Sequence, residues 1–194
     1  MITKLLAALS FLSIASCIEV PMPPAKDALE VKDIKVSQGV GLETACTPSG
    51  VELCFNAKDD NCNGVIDEGC GSMTGVLQFT IAWGDSPADV DLIVTDPSGA
   101  RTHKGNRQPS SGLQFEHNCP EDGCHGQNVE NIWFDGNEPP RGKYVVEVKL
   151  NDPKGADLPV KVHLSARVGA RVYATDLALS PSQGADRLGF SFEL

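Results

Sequence analysis

The segment from Cys54 to Cys70 contains the residues of this chain whose types and spacing could do the most specific chemistry. From Asp59, oxygen-bearing side chains stand at the alternate positions 59, 61, 63 and 67, and Gly64 stands at the sixth place, where a calcium loop turns sharply. Calcium takes several oxygen ligands around one point, and alternate side chains of a tightly wound loop supply them. The predicted calcium ligands are Asp59, Asn61, Asn63, the carbonyl of Val65, and Asp67 or Glu68.

An EF-hand loop ends on a bidentate Glu at its twelfth place, but here that place is Cys70, so Asp67 or Glu68 must close the site. Two amide ligands in place of carboxylates predict weak binding, on the order of 10⁻⁴–10⁻³ M. Asp60 points out of the ligand pattern, and Ile66 is predicted to pin the loop to the structure beneath it. The alternative is a disulfide-stapled turn without an ion, because Asn, Asp and Gly are also ordinary turn residues.

Residues 46–70 resemble the MopE-type metal-binding repeat, which brackets an acidic, glycine-containing loop with cysteines. Asn61 and Asn63 stand where that repeat more often has Asp, and Ala57 replaces its usual glycine. The repeat occurs in secreted and surface proteins of myxobacteria and related bacteria. The resemblance therefore implies metal binding in a secreted protein.

The N-terminus predicts the same compartment. Lys4, an apolar run and a small-residue end make residues 1–16 a secretory signal peptide. Cys17 follows as in a bacterial lipobox, in which the cysteine is acylated and becomes the mature N-terminus; an ordinary signal peptide with a free Cys17 thiol is the alternative. Of seven cysteines, acylation of Cys17 leaves an even number to pair. These six are Cys46, Cys54, Cys62, Cys70, Cys119 and Cys124. With Ile18 next, sorting to the outer membrane is expected, facing the periplasm or the cell surface.

Net charge and length limit the partners and the domain count. A formal charge of −10 over 194 residues, with no Lys/Arg cluster, argues against nucleic-acid binding and favours divalent cations. The length fits one domain and a small module. We expect an acylated N-terminus and flexible linker over residues 17–45, a Cys-rich calcium module over 46–70 and a main domain over 71–194.

The main domain is predicted to be all-β, an antiparallel jelly-roll-like β-sandwich. Hydrophobic residues alternate with polar ones in five runs, near residues 77–83, 89–95, 143–150, 160–167 and 188–194. Weaker strands are expected at 113–117, 129–134 and 171–179. Pro/Gly/Asp turns separate the runs, and no helix is predicted.

The run from Ile81 to Leu150 resembles the YfaP-like β-sandwich domain of bacterial envelope proteins. The resemblance depends on Trp83, Asp89-Val90-Asp91-Leu92, Pro97-Ser98-Gly99, Glu130-Asn131-Ile132-Trp133 and Pro140-Arg141-Gly142-Lys143-Tyr144. Ile93 replaces that family's usual histidine and Val129 its usual proline. The resemblance implies an envelope β-sandwich without an established catalytic role.

Two further sets of side chains have competing interpretations. Asp89 and Asp91 share one strand face, which favours a polar surface or ion pairs to Arg101 or Arg107 over a second ion or an acid/base pair. Cys119 and Cys124 are predicted to form a disulfide rather than a zinc site with His117 and His125, because the compartment is oxidising. His103 and His163 are expected to be isolated surface residues.

No enzyme signature is found in the sequence, so we expect a protein that is not an enzyme. The favoured function is a lipid-anchored binding or adhesion module for polysaccharide or envelope protein, with calcium (Ca²⁺) as the expected ion. A structural envelope lipoprotein without its own ligand is the alternative, and a glycan-acting hydrolase is a third. Trp83 and Trp133 would form a sugar-stacking platform if exposed and belong to the core if buried.

Overall fold

A computed structural model describes residues 29–44, 46–124 and 126–194, and in these ranges the chain forms ten strands and no helix. The strands are β1 Lys32–Val36, β2 Leu77–Gly84, β3 Asp89–Thr95, β4 Arg101–Thr102, β5 Leu113–Glu116, β6 Asn128–Phe134, β7 Lys143–Asp152, β8 Val160–Val168, β9 Arg171–Leu179 and β10 Arg187–Glu193. Sheet A has the order β1-β10-β7-β3-β4 and sheet B the order β5-β6-β2-β8-β9, with every pair antiparallel. In the described ranges, no helix is long and apolar enough to span a membrane. The predicted all-β sandwich is confirmed.

The core lies between the two sheets and comes from the predicted period-two runs. Their inward residues are buried together, among them Leu77, Phe79, Ile81, Val90, Leu92, Val94, Tyr144, Val146, Val148, Val162, Leu164, Phe190 and Phe192. The rings of Tyr144 and Phe192 stack with centroids 5.3 Å apart. Fully burying one such side chain contributes roughly 1.5–3 kcal/mol, so alternation over several strands is enough to hold the sheets face to face.

Part of the predicted linker belongs to the sandwich. β1 pairs with β10 at the edge of sheet A, and Ser37 exchanges hydrogen bonds with Gly189. The chain then crosses to sheet B, where Val40 enters the core and Glu43 bridges to Ala174. Residues 29–44 are therefore folded, which corrects the assignment of this stretch to a flexible linker. Residues 1–28, including the signal peptide and Cys17, lie outside the described residues.

Three disulfides join the six predicted cysteines. Cys46 pairs with Cys62 and Cys54 with Cys70, each across a sequence separation of 16, and Cys119 pairs with Cys124. The predicted Cys119–Cys124 bridge and the pairing of the other four among themselves are confirmed. The sequence left three connectivities open for the other four cysteines. The structure shows the crossed connectivity, in which the first of the four pairs with the third and the second with the fourth.

The stapled segment 46–70 packs on the outer face of sheet B. Ile66 is fully buried there, as predicted, and its carbonyl oxygen accepts a hydrogen bond of 3.1 Å from Gln78 Nε2 on β2. Gly64 has a φ of +86°, and a Cβ at this position would lie 3.1 Å from the Ala170 carbonyl oxygen. The turn therefore needs glycine both for its backbone conformation and for its close approach to the β8–β9 turn.

Candidate metal centre

The loop that begins at Asp59 is wound by hydrogen bonds from its own backbone. The two carboxylate oxygens of Asp59 accept the N–H groups of Asn63 at 3.0 Å and Gly64 at 2.8 Å. Asn61 Oδ1 accepts the Asn63 N–H at 3.0 Å, and Asn63 Oδ1 accepts the Val65 N–H at 2.9 Å. Successive Asx turns of this kind turn the side chains at alternate positions toward one side of the loop.

Three of the predicted ligand side chains meet at one place. The amide groups of Asn61 and Asn63 both donate to Oε1 of Glu68. The second carboxylate oxygen of Glu68, Oε2, is buried and has no hydrogen-bond partner. An unpaired buried carboxylate oxygen is costly unless a cation or a donor satisfies it. The amide nitrogens face Glu68 here, so a hard cation would bind with these amides turned to present their oxygens beside the unsatisfied carboxylate oxygen.

Asp67 does not join these side chains. It is fully buried on the opposite side of the loop, where its carboxylate accepts the N–H groups of Asn56 at 3.3 Å and Ala57 at 3.0 Å. Burial raises the pKa of Asp67 to about 6, although these backbone donors act in the other direction. Of the two residues proposed to close the site, the structure therefore brings Glu68 to Asn61 and Asn63 and uses Asp67 to hold the preceding turn.

Two carboxylates that sequence reasoning did not use organise the rest of the module. Glu52 accepts the N–H of Asp67 at 3.0 Å and that of Asp60 at 3.2 Å, so it joins the two halves of the segment. Burial, followed by the negative charge of Glu68, raises the pKa of Glu52 to about 7. Asp60 is buried and accepts hydrogen bonds from Ser49, Leu53 and Asn56.

Arg167 of β8 places a positive charge near the loop acids Asp59 and Glu68. Burial lowers the pKa of its guanidinium, while the charges of Asp59 and Glu68 act in the opposite direction. In the described ranges no three His, Cys, Asp or Glu side chains are grouped as ligands of one ion. An ion at this loop would therefore depend on amide and backbone oxygens beside the carboxylates of Asp59 and Glu68.

Asp89 and Asp91 form an ion pair with a residue that the sequence analysis did not name. Lys104 Nζ lies 3.2 Å from Asp89 Oδ1 and 2.8 Å from Asp91 Oδ1. The proposed partners are engaged elsewhere, since Arg101 pairs with Glu147 and Arg107 with Asp122. The ion-pair interpretation is confirmed and its partner is corrected to Lys104, which the turn after β4 folds back over β3.

His163 is not isolated, contrary to expectation. Its Nδ1 lies 2.7 Å from Asp176 Oδ1 on the neighbouring strand, and its Nε2 lies 3.4 Å from the hydroxyl of Ser165. This order resembles a nucleophilic triad, but Ser165 has no exposed surface. The adjacent cavity of about 390 Å³ is also lined by Asp59 and Asp60, whose charge would oppose an oxyanion. We interpret the three residues as polar packing between β8 and β9.

The remaining predicted site residues have structural roles. The Cys119–Cys124 disulfide removes both thiolates from a zinc site with His117, and His125 lies outside the described residues. Trp83 is buried in the core, where its indole N–H donates to the Ala88 carbonyl at 2.9 Å. Trp133 is also buried, on the outer side of sheet B beside Gln78. The two tryptophans therefore form no joint exposed platform for a sugar.

Comparison of the chain with protein-family models, with curated proteins and with solved structures gives no match.

Proposed function

We propose that residues 46–70 form a calcium-binding module of an envelope protein and that the module is held on the outer face of its β-sandwich. The observation that carries this proposal is the meeting of Asn61, Asn63 and Glu68 at one place, with Glu68 Oε2 buried and unpaired. Asp59 and the Val65 carbonyl complete the proposed ligand set. The MopE-like spacing and the acidic net charge support the same function.

Calcium fits this loop better than the softer metals do. All cysteines of the module are in disulfides, so thiolates are not available to zinc or copper. Amide oxygens are neutral, so they attract the ion less than carboxylates would, and affinity is expected on the order of 10⁻⁴–10⁻³ M. The crossed disulfides fix the loop before binding and so reduce the ordering cost. Magnesium should bind more weakly, because it demands a near-octahedral site.

Calorimetric titration of the full oxidised chain with calcium tests the proposal. We expect one binding event in the millimolar range, a weaker one with magnesium, and at least a tenfold loss of calcium affinity in Glu68→Gln. Glu138→Gln is the matched control, since Glu138 is exposed in the loop before β7. Absence of calcium-dependent heat at millimolar ion, or equal losses in the two variants, would make the segment a stapled turn.

We further propose that acylation at Cys17 anchors the protein to the outer membrane, facing the periplasm or the cell surface. The lipobox-like end of residues 1–16 and the complete pairing of the other six cysteines support this anchor. Wild-type protein should incorporate labelled fatty acid and fractionate with membranes, and Cys17→Ser should do neither. Membrane association of the variant, together with an unlabelled wild type, would contradict the anchor.

The sandwich is proposed to serve as a binding or adhesion module for polysaccharide or an envelope protein, and a purely structural role remains the alternative. The resemblance to YfaP-like envelope domains supports the first function. Glycan-array binding by the full chain distinguishes the two, with and without calcium. Binding to a defined glycan favours the adhesion module, and uniform absence of binding favours the structural role or a protein ligand.

A further inference from the structure

A second cluster of charged groups lies where β3, β6 and the turn after β4 meet. Lys104 Nζ stands 2.8 Å from Asp91 Oδ1 and 3.2 Å from Asp89 Oδ1. Glu130 reaches the same region from sheet B, and its Oε2 accepts the N–H of Leu92, the residue after Asp91, at 2.7 Å. Glu130 is fully buried, and its Oε1 has no hydrogen-bond partner.

The two aspartates contact Lys104 differently. Asp89 accepts directed hydrogen bonds from Lys104 Nζ at 3.2 and 3.4 Å and a further one from Asn151 at 2.7 Å, so it holds the amine in place. Asp91 Oδ1 is buried and makes the shorter contact, 2.8 Å from the same nitrogen. The Lys104 nitrogen is therefore held in contact with the carboxyl group of Asp91 while Asp89 fixes its position.

We propose that Lys104 and Asp91 condense to an intramolecular isopeptide bond, with the buried carboxyl group of Glu130 exchanging the protons. The bond would join Nζ of Lys104 to Cγ of Asp91 and so tie β3 to the turn that follows β4. Asp89 holds the amine through its directed hydrogen bonds, and Asn151 holds Asp89.

The reaction balances without an oxidant or a co-reactant. The carboxyl group of Glu130 gives its proton to the Asp91 carboxylate and takes one from the Lys104 ammonium, which leaves a neutral amine and a neutral acid. The amine lone pair then forms the N–Cγ bond, the C–OH bond breaks, and the departing oxygen takes a second proton from nitrogen to leave as water. An ammonium and a carboxylate thus become one neutral amide and one water molecule.

The surroundings favour this condensation in two ways. Holding amine and carboxyl in contact replaces a bimolecular encounter, and effective molarities of about 10⁵–10⁸ M are known for well-oriented groups. Burial also raises the pKa of Glu130 well above its usual range, against the Leu92 N–H, so this carboxyl group can carry a proton at neutral pH. Burial lowers the pKa of Lys104, but Asp91 and Asp89 raise it overall, so the pair rests in its charged form and proton transfer from the ammonium is the step that limits the condensation.

Mass spectrometry of the reduced, trypsin-digested full chain tests the proposal. In the sequence, trypsin releases Asp91 in peptide 59–101 and Lys104 at the centre of residues 102–107. An isopeptide bond blocks cleavage after Lys104 and joins the two peptides, with a mass one water below their sum. Recovery of peptide 59–101 and of the fragments cut after Lys104, each in full yield, overturns the proposal.

Variants separate the chemistry from the ion pair. Lys104→Arg keeps the positive charge and should give only unjoined peptides, as should Asp91→Ala. Glu130→Gln keeps both reacting side chains and should leave most of the chain unjoined if Glu130 exchanges the protons. Joining in Glu130→Gln to the wild-type extent refutes that role, and a one-water loss that persists in Lys104→Arg refutes the assigned bond.

Discussion

Replacing Ile66 by alanine should loosen the stapled module selectively. Ile66 and Ala57 are the only fully buried apolar side chains in residues 46–70, so this segment has almost no core of its own. Truncating a buried Ile to Ala costs about 2–5 kcal/mol, and the cost rises when the surroundings cannot collapse into the cavity. The two disulfides prevent such collapse here, so we expect a loss of about 3 kcal/mol in the free energy of local opening.

Hydrogen exchange followed by mass spectrometry measures that opening directly. Each 1.4 kcal/mol is a factor of ten, so amides of residues 46–70 should exchange on the order of 100-fold faster in Ile66→Ala. Ile34→Ala is the matched control, because Ile34 lies on the edge strand β1 with 42% of its surface exposed. Exchange in β7 should be unchanged in both variants.

The reasoning would be refuted if Ile66→Ala and Ile34→Ala changed exchange in residues 46–70 to the same extent. It would also fail if Ile66→Ala accelerated exchange equally in β7 and in the module. In the first case Ile66 would not hold the module, and in the second the module and the core would open only together.

Two further outcomes are expected from urea unfolding. Replacing Cys46 and Cys62 by Ser should lower the free energy of unfolding by about 3 kcal/mol. Replacing Cys119 and Cys124 by Ser should lower it by about 2 kcal/mol, because that disulfide closes a shorter loop. A larger loss for the second pair would contradict the loop-closure argument. Burial alone would raise the pKa of Asp96, but hydrogen bonds from the following turn outweigh burial and lower that pKa in the folded state. The ionised carboxylate therefore stabilises the folded protein at pH values above the unfolded-state pKa of Asp96, and this stabilisation is lost as the pH falls through the folded-state pKa. Asp96→Asn should therefore cost about 1–2 kcal/mol at neutral pH and progressively less below about pH 4, and a pH-independent cost would contradict this.

The strands that bury one face were predictable from the sequence because burial imposes a period of two. β7 follows this pattern in its burial, and β2 follows it in residue type although both of its faces are buried. β1 was missed because all five of its residues are exposed; backbone pairing with β10 holds it at the sheet edge, and such pairing leaves no hydrophobic pattern. The choice of Lys104 as partner of Asp89 and Asp91 was missed for a related reason. It depends on how the turn after β4 folds back, which no local spacing encodes.

The ligand loop was predictable only in part. Spacing placed Asn61 and Asn63 near one another, since alternate residues of a tight turn share one side. It could not separate Glu68 from Asp67, because adjacent side chains take opposite sides only once the backbone path is known. The roles of Glu52 and Asp60 depend on the crossed disulfides, which bring residues 49–53 against the loop.

The outer face of sheet B shows why the module and the sandwich must be considered together. Gln78, Thr80 and Asn131 alternate with the core residues, a pattern typical of a solvent-facing strand, yet all three are fully buried. Buried polar groups need partners, and the carbonyl oxygens of Ile66 and Met73 supply them to Gln78 and Asn131. Because the partners come from the preceding segment, this polar face is an internal interface rather than a free surface. An ion bound at Glu68 would therefore stiffen a segment that is already hydrogen-bonded to the central strand of sheet B, and its effect should extend into the sandwich.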